Sequence, residues 1–375
     1  MNLPPLAVLT AAVSVVGAVS MALAPIASAV AADLGTDPAR VVQATAAFGI
    51  ATMASALLLA PRADVIGADR ALAHALTVQI AGLLASVLAP GILTLTAAQA
   101  LCGIGSGMAL PAIYALAPQA ARAGEESRAV GLVLSGWVLA LIGGVAGAGF
   151  IADAFGWRAV YALFLAGALV LRLVVARTPL RAARGTTATS PLTALRVPGI
   201  GRGLFAGLTL MLSFYGTFAY LGAHVGDVLG RGPRGAGFVT LAYGVGFGLS
   251  LLLDRPLARL PAAWSAGLAM TGLAVVYAGM AATGATYQAL IVLALFWGVT
   301  QHAGLNAVVS RLAALEPSQR GAIMGLNSTA TYLAVTGGAI LFHWPYAWAG
   351  LTGCAIASAL VALAGAVEAA LPRRT

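Results

Sequence analysis

The sequence contains no lysine and little charge of any kind: of 375 residues only 8% are charged, with 11 acidic side chains against 20 basic ones, all arginine. Soluble domains carry roughly 25% charged residues, so a water-facing surface cannot be assembled from this chain. A 61% hydrophobic composition and a mean hydropathy of +0.96 make lipid the natural solvent. There is no G-x-x-x-x-G-K-[ST] loop to cradle nucleotide phosphates, which excludes an ATP-driven pump. Cysteine is scarce too. Cys102 and Cys354 lie in apolar runs with no CxxC partner and no His or Asp ligand close by, so they read as packing residues. H-E-x-x-H, paired carboxylates and a nucleophile elbow are missing, so neither an enzyme nor a bound metal or cofactor is expected. The net charge of +9 would suggest nucleic acid in a soluble protein. Here the arginines sit between apolar runs and form no basic face, so the positive-inside bias accounts for them and nucleic acid is excluded.

A helix needs about 20 apolar residues to cross a hydrocarbon core of about 30 Å, and the charges mark where such spans end. Leu3–Ala32 and Val41–Pro61 hold the first two. No basic n-region precedes the first, which is read as uncleaved. Ala71–Ala121 carries no charge with His74 neutral, yet as one helix it would be about 76 Å long. It must fold back, and Pro90-Gly91 supplies the break. Ala129–Ala152 is the fifth span; the sixth begins near Trp157 and ends past Arg172. The pattern then recurs as Gly203–Gly226, Gly235–Leu253, a run Leu260–Ser310 broken near Thr283-Gly284, and Gly321–Val367 broken at His343-Trp344-Pro345. The expected fold is all-α, with twelve transmembrane helices in two pseudo-symmetric six-helix bundles, residues 1–178 and 202–375, joined by a cytoplasmic linker at 179–201.

The halves match in their charges. Arg70 and Arg122 flank the first overlong run as Arg259 and Arg311 flank the second; Asp64 and Asp254 precede them, and Arg128 and Arg320 follow. Parallel six-helix repeats of this kind are a transporter architecture. With both termini inside, the stretch holding Arg172, Arg177, Arg181, Arg184, Arg196 and Arg202 faces the cytoplasm, and only Arg40, Arg158, Arg231 and Arg234 remain outside. That asymmetry predicts an integral protein of a bacterial-type inner (plasma) membrane, both termini cytoplasmic. A monomer is expected.

Between the second and third spans the chain reads Ala60-Pro61-Arg62-Ala63-Asp64-Val65-Ile66-Gly67-Ala68-Asp69-Arg70, and in the second half Ser250-Leu251-Leu252-Leu253-Asp254-Arg255-Pro256-Leu257-Ala258-Arg259. Over essentially its whole length the chain resembles a major facilitator superfamily (MFS) transporter, with a pattern similar to the twelve-helix drug- and sugar-efflux branch. That family's loop is G-x-x-x-D-R-x-G-R-R/K: Asp64 and Gly67 match it, Arg70 lies one place beyond, and Asp254, Arg255 and Arg259 remain of the second copy. The resemblance implies a cytoplasmic gate. Asp64 would face the start of the eleventh helix near Arg320, and Asp254 the start of the fifth near Arg128, each carboxylate accepting from exposed N–H groups and pairing with a guanidinium. Two other signatures are altered. Gln99 stands where the fourth-helix R-x-x-Q-G pattern has arginine, and Gly144-Val145-Ala146-Gly147-Ala148-Gly149 lacks the proline of the fifth-helix G-P-x-x-G-G motif. Those departures remove the motif grounds for proton antiport.

In that family helices one, four, seven and ten line the substrate path. Polar residues sharing a helix face there are Gln99, Cys102 and Ser106 on the fourth, Ser213, Thr217, Tyr220 and His224 on the seventh, and Trp297, Gln301, His302 and Asn306 on the tenth. Such side chains face a cavity or bind neighbouring helices; for each both readings stand. No carboxylate falls at mid-membrane depth, whereas a buried cation wants a paired anion. The expected substrate is therefore a small neutral or weakly anionic amphipathic molecule, moved by alternating access, with efflux favoured. Proton coupling would run through His224 or His302, or be absent. The alternatives are an uptake or facilitated-diffusion carrier and a non-transporting receptor on the same fold.

Overall fold

Local chemistry sets the helix boundaries. Asp37 accepts from Ala39 N at 2.6 Å, with Pro38 in the first turn; the carboxylate satisfies an orphan donor and the proline presets φ. The structure, a computed structural model, describes residues 4–122, 125–180, 182, 190–253, 262–283, 286–316 and 319–371. Along these run α1 (Pro5–Met21), α2 (Pro38–Leu58), α3 (Ala68–Val87), α4 (Ile92–Gln119), α5 (Glu126–Leu134, Gly136–Leu139 and Ala146–Phe155) and α6 (Trp157–Arg177). The second series is α7 (Ile200–Ala223), α8 (Gly232–Leu249), α9 (Ala262–Thr283), α10 (Tyr287–Ala313), α11 (Arg320–Leu341) and α12 (His343–Ala370). Among the described residues ten helices are long and apolar enough to cross a membrane; α1 is shorter and α11 is not among the ten.

The break expected at 90–91 separates α3 from α4; that expected near 283–284 coincides with the end of α9 at Thr283; and that expected at 343–345 falls at Phe342, so His343, Trp344 and Pro345 form the first turn of α12. The first span is not continuous. It stops at Met21, turns through residues 22–26 and resumes as a short helix, Ala27–Leu34, because Pro25 has no N–H to donate and disfavours a helical residue before it. The glycine run of α5 holds a π-helical segment, Ala140–Val145, and α7 ends in another, His224–Val228.

Helices α1–α6 pack among themselves, α4 against α2 and α3; in the second series α10 packs likewise against α8 and α9. The two sets meet along α2–α11 and α5–α8. Leu93, Leu163, Val170, Leu268 and Leu360 stand exposed on the outside of the helices, the surface expected for contact with acyl chains. Trp344 and Trp348 near the start of α12 and Trp264 near the start of α9 are exposed near helix ends, where indoles favour the headgroup level. Between α6 and α7 a 3₁₀ helix, Pro191–Arg196, is capped by Ser190 and rests against Gly325 of α11 through Pro191. Arg181, Arg184 and residues 185–189 of the linker lie outside the described residues.

At the end away from this linker, Asp33 accepts from Trp157 Nε1 at 3.0 Å and from Arg158, whose other nitrogen donates to the Ala89 carbonyl at 3.0 Å. The Arg158 and Trp157 hydrogen bonds hold the Asp33 carboxyl below its ordinary range. A depressed folded value means that its stabilisation is present at neutral pH and is lost as pH falls through that value. Asp33→Asn is expected to lower the melting temperature at pH 7 by an amount worth at most about 1 kcal/mol, since the pair is exposed. The difference from wild type should shrink as pH falls below the ordinary carboxylate range and vanish once the folded-state carboxyl is protonated, as measured by thermal unfolding in detergent across pH.

Candidate substrate path and gate

The polar residues of α4 turn toward their own half. Gln99 Nε2 donates to Ser86 Oγ of α3 at 3.3 Å and to Tyr161 Oη of α6 at 3.2 Å. Ser106 Oγ accepts from Gln79 Nε2 of α3 at 3.3 Å and donates to the Cys102 carbonyl at 3.0 Å. Cys102 is fully buried, and a Cβ added to Gly82 of α3 would lie 2.7 Å from its sulfur. Gln99, Cys102 and Ser106, expected on the path, face their own half in this structure. Their spacing gives them one shared face, and that face meets α3 and α6, where Ser86 and Tyr161 accept from Gln99 and Gln79 donates to Ser106.

On α7 the pattern is similar. Ser213 donates to the Leu210 carbonyl at 2.9 Å; Thr217 Oγ1 and Ser358 Oγ of α12 lie 2.8 Å apart, and Ser358 donates to the Ser213 carbonyl at 2.6 Å. Tyr220 donates to the Ala339 carbonyl of α11 at 2.7 Å and stacks on Tyr346 of α12 at 4.7 Å. These residues bind α7 to α11 and α12, so Ser213, Thr217 and Tyr220 also serve helix packing. His224 is buried at the π-helical end of α7. It lies beside the break in α12 at Ala349 and Gly350, where Gly350 has φ 59° and a built Cβ would be 3.8 Å from His224 Nδ1.

On α10 the surroundings are aromatic. Trp297 Nε1 donates to Tyr277 Oη of α9 at 2.8 Å. Its ring lies 5.3 Å from Phe214 and 5.1 Å from Tyr243, which are themselves 5.2 Å apart. The edge-on contact of His302 with Phe247 is 4.7 Å between centroids. Gln301 is buried, and neither of its side-chain polar atoms has a partner among the described residues. Asn306 is half-buried and lies 3.4 Å from Ser310 Oγ.

The seam between the halves is close where small residues face each other. Gly49 of α2 abuts Thr336 and the Tyr332 carbonyl of α11, and Gly149 of α5 abuts Gly237 of α8. Near the end away from the linker, a Cβ on Gly222 of α7 would stand 1.9 Å from the Ala24 carbonyl oxygen, and Ser28 Oγ donates to the Gly222 carbonyl at 3.4 Å. A cavity of about 10 Å³ remains beside this contact, lined by Ser20, Thr45, Tyr215, Phe218 and Ala219 among others; that is room for about one water. Toward the linker end, Glu126–Leu134 of α5 packs on α1 and α4.

An ion triad that sequence reasoning missed closes the linker end of the second half. Glu368 of α12 accepts from Arg311 of α10 through both oxygens at 2.9 Å and from Arg202 Nε of α7 at 2.6 Å. Arg202 also donates to the carbonyls of Glu368 and Leu371 at 2.8 and 3.0 Å. The Arg311 and Glu368 side chains are each 9% exposed. The available signal was that Glu368 is the one acidic residue after Glu316, directly following the last apolar run.

The model of the Major Facilitator Superfamily matches residues 9–262, more than half of the chain. The chain belongs to the major facilitator superfamily. It is 26% identical over 368 residues to the uncharacterised MFS-type transporter YwfA of Bacillus subtilis (strain 168), covering 96% of this chain and 89% of the relative. Among solved structures its fold is similar to that of the human organic anion transporter MFSD10 (TETRAN), with a TM-score of 0.75, 14% identity, and 97% and 98% of the two chains covered.

In this MFS protein the loop between α2 and α3, expected to serve as a gate, forms a short helix, Ala63–Ile66, which carries Asp64 and ends at Gly67 with φ 95°. That left-handed backbone favours glycine and turns the chain into α3, where Arg70 is exposed. Arg128, at the start of α5, pairs with Glu125 at 3.7 Å. Arg320, at the start of α11, donates to the Ala313 carbonyl at 3.3 Å. Asp254, Arg255 and Arg259 of the second loop lie outside the described residues.

Proposed function

We propose that this MFS protein is a secondary-active transporter that moves a small neutral or weakly anionic amphipathic solute out of the cell by alternating access. Residues 1–178 and 202–375 would form the rocking bundles about the 179–201 linker, in an inner membrane with both termini cytoplasmic. In this reading α1 with its short continuation, and α11, complete twelve crossings. The observation that carries the substrate class is the chemistry of the interior. Among the described residues the acidic side chains stand at or near helix ends (Asp33, Asp64, Asp153, Asp227 and Glu368 among them), whereas mid-helix positions hold hydroxyls, amides and the His302 imidazole. A cation desolvated there would have no carboxylate to pair with. The close approach of Gly222 to Ala24 supports a conformation sealed toward the outside.

The test is flux in proteoliposomes, with and without a pH gradient, over a panel of neutral, anionic and cationic amphipaths. Neutral or anionic compounds are expected to move; strictly cationic flux, unaffected by replacing His224 and His302, would overturn the assignment. Asp64→Asn is expected to reduce flux at least tenfold at unchanged membrane abundance, and wild-type flux in that variant would remove Asp64 from the gate. An uncoupled carrier is the second reading. It is favoured by Gln99, which occupies the place of the family's buried arginine and is held by Ser86 and Tyr161.

A further inference from the structure

The two halves treat their buried amides differently. In the first, Gln99 Nε2 is bound by Ser86 and Tyr161 and Gln79 Nε2 by Ser106, so each amide is anchored through its nitrogen even though Gln79 Oε1 has no partner among the described residues. In the second, Gln301 is 2% exposed and both its Oε1 and its Nε2 lack partners among the described residues. A buried amide left unpaired bears its full desolvation cost, and a native interior holds few such groups without a reason. Gln301 sits midway along α10, the depth at which carriers of this architecture bind their cargo. It is one turn from Trp297 on the same face. Gly298, against the Tyr243 carbonyl, and Gly304, against Leu210, hold this stretch of α10 close to α8 and α7. Trp297, Phe214 and Tyr243 form the ring cluster there, and the indole N–H of Trp297 is already spent on Tyr277.

We propose that Gln301 is the polar anchor for a substrate made of a planar apolar ring bearing an amide or lactam. Such a group donates and accepts side by side and so satisfies both atoms of the carboxamide at once, while its ring stacks with the aromatic cluster. A carboxylate would engage only the N–H, and a hydrocarbon neither. This rests on the transport reading above and names the substrate class of the same path. Access requires the ring cluster to part as α7 and α10 move.

The probes are 2-naphthamide and 2-ethylnaphthalene, which share a ring system and differ in the amide, titrated by thermal shift against the full-length protein in nanodiscs. Wild type is expected to bind the amide at least tenfold more tightly. Gln301→Leu and Gln301→Met are expected to abolish that preference while leaving the ligand-free melting temperature equal to wild type or higher, because an unpaired amide has been removed. A purely structural role would instead lower the ligand-free melting temperature. The proposal is overturned if wild type shows no preference for 2-naphthamide, if both variants keep one, or if both melt well below wild type. The transport reading fails on a separate readout, the absence of flux for every compound in the liposome panel.

Discussion

Glu368→Gln is expected to destabilise the protein by about 3–5 kcal/mol, the penalty for breaking a buried ion pair from one side. The carboxylate serves two guanidiniums at once, and Arg311 is 9% exposed with both of its terminal nitrogens committed to Glu368. Without the negative charge, two cations remain close together with little water to screen them. Arg202 suffers less: its side chain is 33% exposed and keeps the carbonyls of residues 368 and 371 as acceptors. The deficit should therefore concentrate on Arg311. Glu368→Gln combined with Arg311→Met is accordingly expected to recover most of the loss, since an apolar replacement for a buried pair is often neutral or stabilising. Thermal unfolding in detergent of both single variants and the double variant checks this. Equal melting temperatures for wild type and Glu368→Gln would show that the triad contributes nothing to stability.

Gly222→Val is expected to leave a folded, membrane-inserted protein that transports at least tenfold more slowly. A Cβ at this position would stand 1.9 Å from the Ala24 carbonyl oxygen and 2.8 Å from Pro25 Cα. Both are backbone atoms, which cannot step aside by changing rotamer. The clash falls between the halves rather than within one, so it can be relieved by moving the halves apart. Overpacking inside a bundle has no such outlet and costs typically about 1–3 kcal/mol; Gly298→Val, against the Tyr243 carbonyl within the second half, should show that outcome. The two can be told apart by labelling. Both native cysteines are buried, so a cysteine placed at Ala219, beside the small cavity, can report access. A membrane-impermeant maleimide added outside is expected to modify Ala219→Cys in the Gly222→Val background and to leave it unmodified with Gly222 present. Equal labelling in both backgrounds would show that this contact does not seal the outer face.

Much of the fold was legible because lipid imposes simple rules. Charges mark the ends of spans, and the breakers near 90–91, 283–284 and 343–345 fall at or within a residue or two of helix ends. The discontinuity at residues 22–26 was passed over although Pro25 carries the signal, since the apolar run through it suggested a single span. The site was less legible. Spacing correctly put Gln99, Cys102 and Ser106 on one face of α4, but helices that are apolar all round carry no mark of which neighbour a face meets. The partners Ser86, Gln79 and Tyr161 come from elsewhere in the chain. Arg311 illustrates the same limit: its place at the end of an apolar run is equally that of a residue held at the membrane surface, and only the approach of α12 assigns it a carboxylate. For Gln301 the informative fact is the lack of any partner, which exists only once every neighbour is in place.

The triad also sets a clock on biogenesis. Arg202 and Glu368 are 166 residues apart, and at about 5–20 residues per second of synthesis the arginine leaves the ribosome roughly 8–33 s before its carboxylate. Over that interval the Arg202 guanidinium lacks the carboxylate it binds in the folded protein, so the seventh helix is made and placed before its counter-ion exists.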